Sequence, residues 1–474
     1  MGSLPKRWIL LFLCLAGCVR IPEHELAVQG LSSGIEATAE AALQSGGFEE
    51  GEWLSEKWWE GFGEPVLTQL IEKGLECNPD LKLAEERLKA AAQVAIQKKA
   101  ALFPEIDLDA NDLWQHFSKE GFFRQYAGNL IPATVNEIVI GLSFRYEFDF
   151  WGKNLNLYRA AMGETAARLA EIWQAKLVIT TAIAYTYFEL KFLLKKREIL
   201  EERKKARSSV FGVRQLRQEH AIDTAIQTLA SEGNDLEIEA DLRETQIAID
   251  RQVHKLKALV GMQQDAPIGV VAGELSPIRL KLPKTLGLDL LARRPDLLAQ
   301  KKRVEAAAKQ IDAAKTNFYP NVNLMAFFGT DSVFWSGLFH AHNWDISANP
   351  AIHLPIFTAG RIRAELYEKV SLFNEAVYAY NKLIIDSAKE VADSLTTISS
   401  LLKEVEIYQK IYDVSAKEEG HVMRLFLGAL VSRVETLDAT DDVLHKKLIL
   451  TEIEYAAQLA EIDLIRSLGG GFHE

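Results

Sequence analysis

The sequence predicts a mostly α-helical chain with a small β part, in which one unit of strands and a long helical hairpin occurs twice. Three observations lead to this fold class. Some short segments alternate apolar and polar residues, long segments follow a period near 3.6, and both kinds recur in the same order after about 210 residues. A repeat of this length indicates tandem structural units rather than a solenoid of short repeats.

The first residues of the chain have the pattern of a signal peptide. Lys6 and Arg7 precede an apolar run that is too short to cross a bilayer as a helix, and small residues lead from it to Cys18. This pattern resembles a bacterial lipoprotein signal, so we expect residues 1–17 to be removed and Cys18 to carry covalent lipid. Val19 favours delivery to the outer membrane. The alternative is a short apolar start with a chance cysteine.

Charge and cysteine usage exclude several classes of protein. The formal net charge of −12 becomes −14 when Lys6 and Arg7 are removed, which argues against nucleic acid as a partner. After processing only Cys18 and Cys77 remain, so no disulfide framework is expected. No run of eighteen apolar residues follows the signal, and a membrane crossing by this chain would therefore use strands.

The internal repeat sets the predicted domain boundaries. The segment from Asn78 to Leu108 aligns without a gap on Arg294 to Leu324, and "FDFWGK" is answered by "IFTAGR". The predicted parts are an N-terminal anchor segment with a first short helix (18–77), a first repeat (78–270), a linker (271–293), a second repeat (294–467) and a C-terminal tail (468–474).

Each repeat is predicted to contain a helix, two strands and a helical hairpin. The opening helices begin at Pro79 and Pro295, since proline suits the first helical position. The predicted strands span about 105–116 and 138–150 in the first repeat, and about 321–330 and 346–357 in the second. Pro350 and Pro355 weaken the last of these assignments. The hairpins are predicted at 153–262 and 361–467.

Four strands of about ten residues have the length that crosses an outer-membrane bilayer. They are too few to close a barrel, and an open sheet edge in lipid would leave backbone groups unpaired. The strands must then join those of other copies. Two copies give eight strands with a filled interior, whereas three give twelve and leave room for a water-filled lumen.

Five segments of the sequence resemble the outer-membrane factor family, the TolC-like efflux channels, and the lipoprotein signal resembles that of its NodT-type branch. The segments are "WWEGFGEPVLTQLIEKGLECNPDLKLAEERL", "YEFDFWGK", "LLARRPDLLAQ", "LPIFTAGR" and "IRSLGGGF". The resemblance implies a homotrimer with a twelve-stranded β-barrel continued by a periplasmic α-helical barrel. It also implies a periplasmic adaptor (membrane fusion) protein and an inner-membrane transporter of the RND type as partners, in contact with outer-membrane lipid.

The tips of the two hairpins, near 217–224 and 424–435, are the expected constriction of such a duct. "GALVSRVETLDA" resembles the family's gate region and places Val434 and Asp438 at candidate gate positions, and helical spacing adds Asp441 to the same face. If this face points inward, six carboxylates from three copies would favour cations. The alternative is a solvated acidic helix start. Arg424, Arg217 and Asp223 could form ion pairs that hold the tips shut.

Three polar residues between the apolar positions of the second strand, Arg145, Glu147 and Asp149, are candidates for the barrel lumen. No phosphate-binding loop and no protease or esterase motif is present, so the sequence predicts a channel rather than an enzyme. His340 and His342 share a predicted loop, where two histidines are more typical of a surface than of a metal site. The rival hypothesis is a non-conducting periplasmic scaffold or adaptor lipoprotein.

Overall fold

A computed structural model of the chain describes residues 21–28, 34, 48–51, 53–130, 132–275, 281–282 and 293–473. The predicted signal peptide (1–17), Cys18 and most of the predicted linker therefore lie outside the described residues. The described chain forms two compact units. One comprises residues up to 29 together with 88–167 and 301–379, and the other comprises 30–87, 168–300 and 380–474.

Twelve elements of the described chain are labelled here in sequence order. The helices are α1 (Pro65–Cys77), α2 (Pro79–Ala100), α3 (Phe122–Ala127), α4 (Lys153–Glu219), α5 (Ala225–Val260), α6 (Pro295–Thr316), α7 (Arg361–Leu427) and α8 (Arg433–Ser467). The strands are β1 (Glu105–His116), β2 (Thr134–Phe148), β3 (Asn321–Ser332) and β4 (Trp344–His353). In addition, Glu49–Glu50 pairs in parallel with Lys281–Leu282.

The first unit is built around one antiparallel sheet in the order β1-β2-β3-β4. The central pair, β2 and β3, comes from different repeats, with Gly141 directly opposite Gly329. A Cβ atom on Gly329 would lie 2.5 Å from the carbonyl oxygen of Ile140, so these two strands approach closely only because both residues are glycine. The ring of Phe327 lies over the glycine pair.

The two faces of the sheet differ in polarity, as the period of two requires. The register places Leu108, Leu142 and Phe328 on one face, and all three side chains are exposed. The opposite face carries Asp107 and Arg145. A large exposed apolar face is unusual in a soluble protein and needs a non-aqueous neighbour.

Five strand ends differ from the prediction. β2 begins at Thr134 rather than at residue 138, and β3 ends at Ser332 rather than at residue 330. β2 ends at Phe148 rather than at residue 150, because the Asp149 carboxylate accepts hydrogen bonds from the backbone N–H groups of Asn154 (3.1 Å) and Leu155 (2.8 Å) at the start of α4. β4 spans 344–353 rather than 346–357, and Pro355 lies outside it. Pro350 lies within β4, which is an edge strand of this sheet.

The two long helices have equal length, since α4 and α7 each contain 67 residues. Apolar residues recur along α7 with a period near 3.6 and form a stripe that is buried over most of its course. Its buried members include Leu366, Val377, Val391 and Ile398. One 18-residue window of α4 is apolar enough to cross a membrane by composition, but 67% of it is buried inside the protein. The window is therefore explained as part of the helical core.

The second unit is held by an apolar core and by buried charge pairs. Val391, Leu395 and Ile398 of α7 pack with Ala460 and Leu464 of α8. Elsewhere the buried guanidinium of Arg294 makes a bidentate pair with Asp296 and a 2.8 Å hydrogen bond to Glu390. These contacts fix the start of α6 against α7.

Candidate functional site

Both hairpin tips lie in the second unit and end their long helices in the same way. Ala221 and Ala429 have φ values of 55°, a left-handed conformation that usually favours glycine. Around them, the N–H of Ile222 donates to the carbonyl of Arg217 (2.7 Å), and the N–H of Leu430 donates to that of Leu425 (2.9 Å). These six-to-one bonds are the Schellman motif. The first tip carries His220 where the second has Gly428, and both nevertheless have the same turn geometry.

The returning helices begin with matching capping boxes. The hydroxyl of Thr224 accepts from the N–H of Gln227, and the hydroxyl of Ser432 accepts from the N–H of Glu435. Each side chain at the third helical position bonds back to the N-cap backbone. The hydrogen bonds from Ser432 hold the pKa of the Glu435 carboxyl below its usual value. Its negative charge at the helix start is therefore retained.

Val434, a predicted gate residue, lies in an apolar contact between the two hairpins. It packs with Leu437 of the same helix and with Val210 and Val213 of α4. Val434 is buried within the single chain. Its side chain joins the first hairpin to the second.

Asp441 lies about two turns beyond Val434 on α8 and is held by two arginines of α4. Arg203 donates from Nε to Oδ1 at 2.9 Å and from Nη2 to Oδ2 at 3.3 Å. Arg207 donates from Nε and Nη2 to Oδ2 at 3.0 and 2.6 Å. The Asp441 side chain is only 3% exposed. A buried carboxylate with two arginine partners is strongly held, since loss of either side would leave a buried charge.

Asp438 completes this group, which we call the arginine clamp (Arg203, Arg207, Asp438 and Asp441). The Nη1 atom of Arg207 donates to Asp438 Oδ1 at 3.0 Å, and the Asp438 side chain is 42% exposed. Of the two predicted carboxylates, Asp438 therefore keeps access to solvent, whereas the charge of Asp441 is compensated within the chain.

The arginines of the clamp were missed by the sequence analysis. Arg203 and Arg207 are spaced i, i+4, and Asp438 and Asp441 are spaced i, i+3, so each pair occupies one helix face. Two positive charges on one face of α4 and two negative charges on one face of α8 would have indicated that these faces are electrostatically complementary. What the sequence does not contain is the pairing of α4 with α8.

The other predicted tip residues are not brought together as one group. Arg217 and Asp223 form an ion pair within the first tip, with Nη2 and Oδ1 2.9 Å apart. Arg424 instead contacts His421 and the carbonyl of Gly420 on its own helix.

The three predicted lumen residues have different surroundings. Arg145 pairs with Asp107 and Glu105 on the polar face of the sheet. Glu147 bonds Lys153 (3.2 Å) and Asn321 (3.1 Å). Asp149 caps α4, as described above. Arg145 and Glu147 thus belong to the polar face, and the carboxylate of Asp149 is engaged by the helix start.

Metal-binding and disulfide chemistry find no site in the described part of the chain. His340 and His342 lie with ring centroids 5.6 Å apart in the loop between β3 and β4. No group of three or more potential metal ligands occurs among the described residues. Cys77 is exposed and has a free thiol.

Comparison with known proteins now decides the family. The model of the outer membrane efflux protein family matches residues 70–262 and 286–470. The chain belongs to the outer membrane efflux protein family. The two matched stretches correspond to the two repeats, and an outer-membrane location and a role in efflux follow for this chain.

Individual relatives agree over nearly the full length. The multidrug resistance outer membrane protein MdtQ of Escherichia coli O6:H1 is 27% identical over 473 residues, which cover 98% of this chain and 97% of that protein. MdtP from the same strain is 26% identical and covers 89% and 87%.

Solved structures show the same fold. VceC of Vibrio cholerae is 30% identical, with a TM-score of 0.78 over 89% of this chain and all of that one. The Campylobacter jejuni CmeC channel has a TM-score of 0.81 at 19% identity, covering 96% and 94%. The predicted TolC-like fold class is confirmed.

Proposed function

We propose that this protein is the exit duct of a tripartite efflux system, assembled as a homotrimer. The observation that carries the proposal is the sheet of the first unit. Among the described residues, no strand pairs with the outer edge of β1 or β4. In a membrane such edges would leave backbone groups unpaired at several kcal/mol each, so another copy must cover them.

The sheet geometry is compatible with closure into a ring. Because neighbouring strands are antiparallel and their number is even, β4 of one copy would meet β1 of the next in antiparallel orientation. Three copies give twelve strands, enough for an aqueous lumen. The exposed apolar face would then contact lipid, and the face with Arg145 and Glu147 would line the lumen.

The remaining parts of the assembly rest on the sequence. The lipoprotein pattern supports covalent lipid on Cys18 as a second membrane anchor. Membership in the efflux family and the exposed hairpin tips support a periplasmic adaptor and an inner-membrane transporter of the RND type as partners. The exported compounds would be selected by that transporter, since a water-filled duct has few means of discriminating polar solutes.

The arginine clamp is the proposed lock of the resting state. It joins α4 of the first hairpin to α8 of the second, and Val434 adds an apolar contact between the same helices. Asp438, the more exposed carboxylate, is the residue of this group that could face passing ions. Arg217 and Asp223 would stiffen the first tip, and Arg424 would stiffen the end of α7 through His421 and the carbonyl of Gly420.

Two measurements test the proposal. The purified protein should migrate as an SDS-resistant trimer that heating converts to monomer, and it should conduct ions in planar bilayers. A monomer that leaves the membrane without detergent and passes no current would favour the scaffold hypothesis instead. Replacing Asp438 by Asn should reduce cation preference, and an unchanged preference would remove Asp438 from the conduction path.

A further inference from the structure

Residues 21–28, just after the predicted lipid-bearing cysteine, lie along the barrel-proximal part of α7 within the first unit. They contain neither helix nor strand. The hydroxyl of Tyr367 donates to the carbonyl of Glu23 at 3.4 Å. Asn374 accepts from the N–H of Ala27 at 2.8 Å and donates to the carbonyl of Glu25 at 3.4 Å. We call residues 23–27 the strap.

The side-chain amide of Asn374 hydrogen-bonds to the strap backbone as a neighbouring strand would. The amide oxygen accepts from the N–H of Ala27, and the amide nitrogen donates to the carbonyl of Glu25, two residues earlier. A shift of the strap by one residue would break both hydrogen bonds. Asn374 and Tyr367 are seven residues apart, which is about 10 Å along a helix. Three residues of extended chain also cover about 10 Å, so the spacing fits an extended strap in one register.

The strap runs in the same direction as α7, with Glu23 nearer to the start of the helix. Tyr367 follows Arg361, the first residue of α7, by six residues, or about 9 Å. Cys18 precedes Glu23 by five residues, which reach at most about 17 Å. The cysteine can therefore reach the start of α7, next to β4 in the sequence, but little further.

We infer that Asn374, assisted by Tyr367, is a positioning residue that holds the lipid-bearing N-terminus beside the barrel end of α7. The inference rests on the proposed acylation of Cys18. Its consequence is that the lipid and the sheet of one chain enter the membrane at a fixed separation. The specificity comes from backbone hydrogen bonds, so the side chains of Glu23 and Glu25 are free to vary.

The first test measures how tightly the strap is held. The variant Ala27→Cys in a Cys77→Ser background is labelled with a maleimide in the detergent-extracted trimer, and peptide mass spectrometry locates the label. Loss of two ordinary hydrogen bonds in Asn374→Ala should raise the labelling rate roughly ten-fold. The matched control, Glu375→Ala, removes an exposed side chain of the same helix turn and should leave the rate unchanged. Equal rates in both variants would overturn the inference.

The second test concerns the reach of the anchor. Deleting residues 20–22 leaves one residue, Val19, between Cys18 and the strap. Two steps along the chain then reach about 7 Å, which is shorter than the distance to the start of α7. The acylated deletion variant should label fast at position 27, and the same deletion behind a leader that is cleaved without acylation should label slowly. Slow labelling in both would show that the lipid does not pull on the strap. Conductance of the same samples reports on the duct independently of either result.

Discussion

Removal of Arg207 is the sharpest perturbation of the arginine clamp. The substitution Arg207→Ala takes away three of its five hydrogen bonds, two to Asp441 and one to Asp438. Removing one partner of a buried ion pair typically costs about 3–5 kcal/mol. Because Arg203 still holds Asp441, we expect about 2–3 kcal/mol at this site. Asp441→Asn, which leaves Arg203 without a carboxylate partner and Arg207 with Asp438 alone, should cost more.

The assay compares stability with channel opening. If the clamp must break for the tips to separate, a loss of about 2–3 kcal/mol from the closed state corresponds to a roughly 30- to 150-fold rise in the open-to-closed ratio. Planar-bilayer recordings would show longer and more frequent openings in Arg207→Ala. Arg243→Ala is the control, since Arg243 is 79% exposed and its ion pair with Glu239 lies on the surface of α5.

One result would refute this reasoning. If Arg207→Ala and Asp441→Asn lower the melting temperature of the trimer but leave single-channel openings at the level of the unsubstituted protein, the clamp is structural. The two hairpins of one chain would then move as one body, and the channel would open at a different contact between helices.

Three further predictions concern stability. Burial and the nearby Glu274 raise the pKa of Glu454 to about 7 from 4.5, so the folded protein keeps a proton that the unfolded chain releases, and stability falls as pH rises from 4.5 through 7. Glu454→Gln should therefore raise the melting temperature at pH 8 and have little effect at pH 5; an equal effect at both values would contradict this. Asp149→Ala should destabilise the trimer by about 1 kcal/mol through the lost helix cap and leave ion selectivity unchanged, whereas altered selectivity in bilayer recordings would place its charge in the lumen. Gly329→Val should prevent formation of the heat-modifiable trimer, because its Cβ would meet the Ile140 carbonyl, and a normal trimer on gels would contradict the observed register.

Local sequence patterns predicted the elements of this fold well. The alternation around Phe144 marks β2, and the 3.6-residue stripe through Leu366 and Val377 marks the buried side of α7. Both patterns arise from side chains that face one neighbour over a long distance. The end of β2 was missed because Asp149 bonds forward into the helix, a choice that the alternation of apolar residues does not record.

The candidate site was only partly predictable. Asp438 was found from the family resemblance and Asp441 from helical spacing. Arg203 and Arg207 are about 230 residues away, and their role depends on which helices pack together. Ala221 and Ala429 were also hidden, since alanine is a helix former and nothing in the sequence marks a left-handed turn there. Interactions between residues that are far apart in the chain produce no periodic pattern in the sequence.

The arginine clamp breaks the symmetry of the duplicated chain. The two hairpins correspond at a spacing of 208 residues, since Lys153 matches Arg361 and Ala221 matches Ala429. Arg203 and Arg207 then correspond to Ile411 and Ser415, and Asp441 corresponds to Gly233, so the reverse contact has no such charges. A ring of three copies would have six hairpins and six contacts between neighbouring hairpins. Only every other contact would contain an arginine clamp. Opening of such a tube would start at the three hairpin contacts that lack the clamp. It would therefore follow threefold rather than sixfold symmetry.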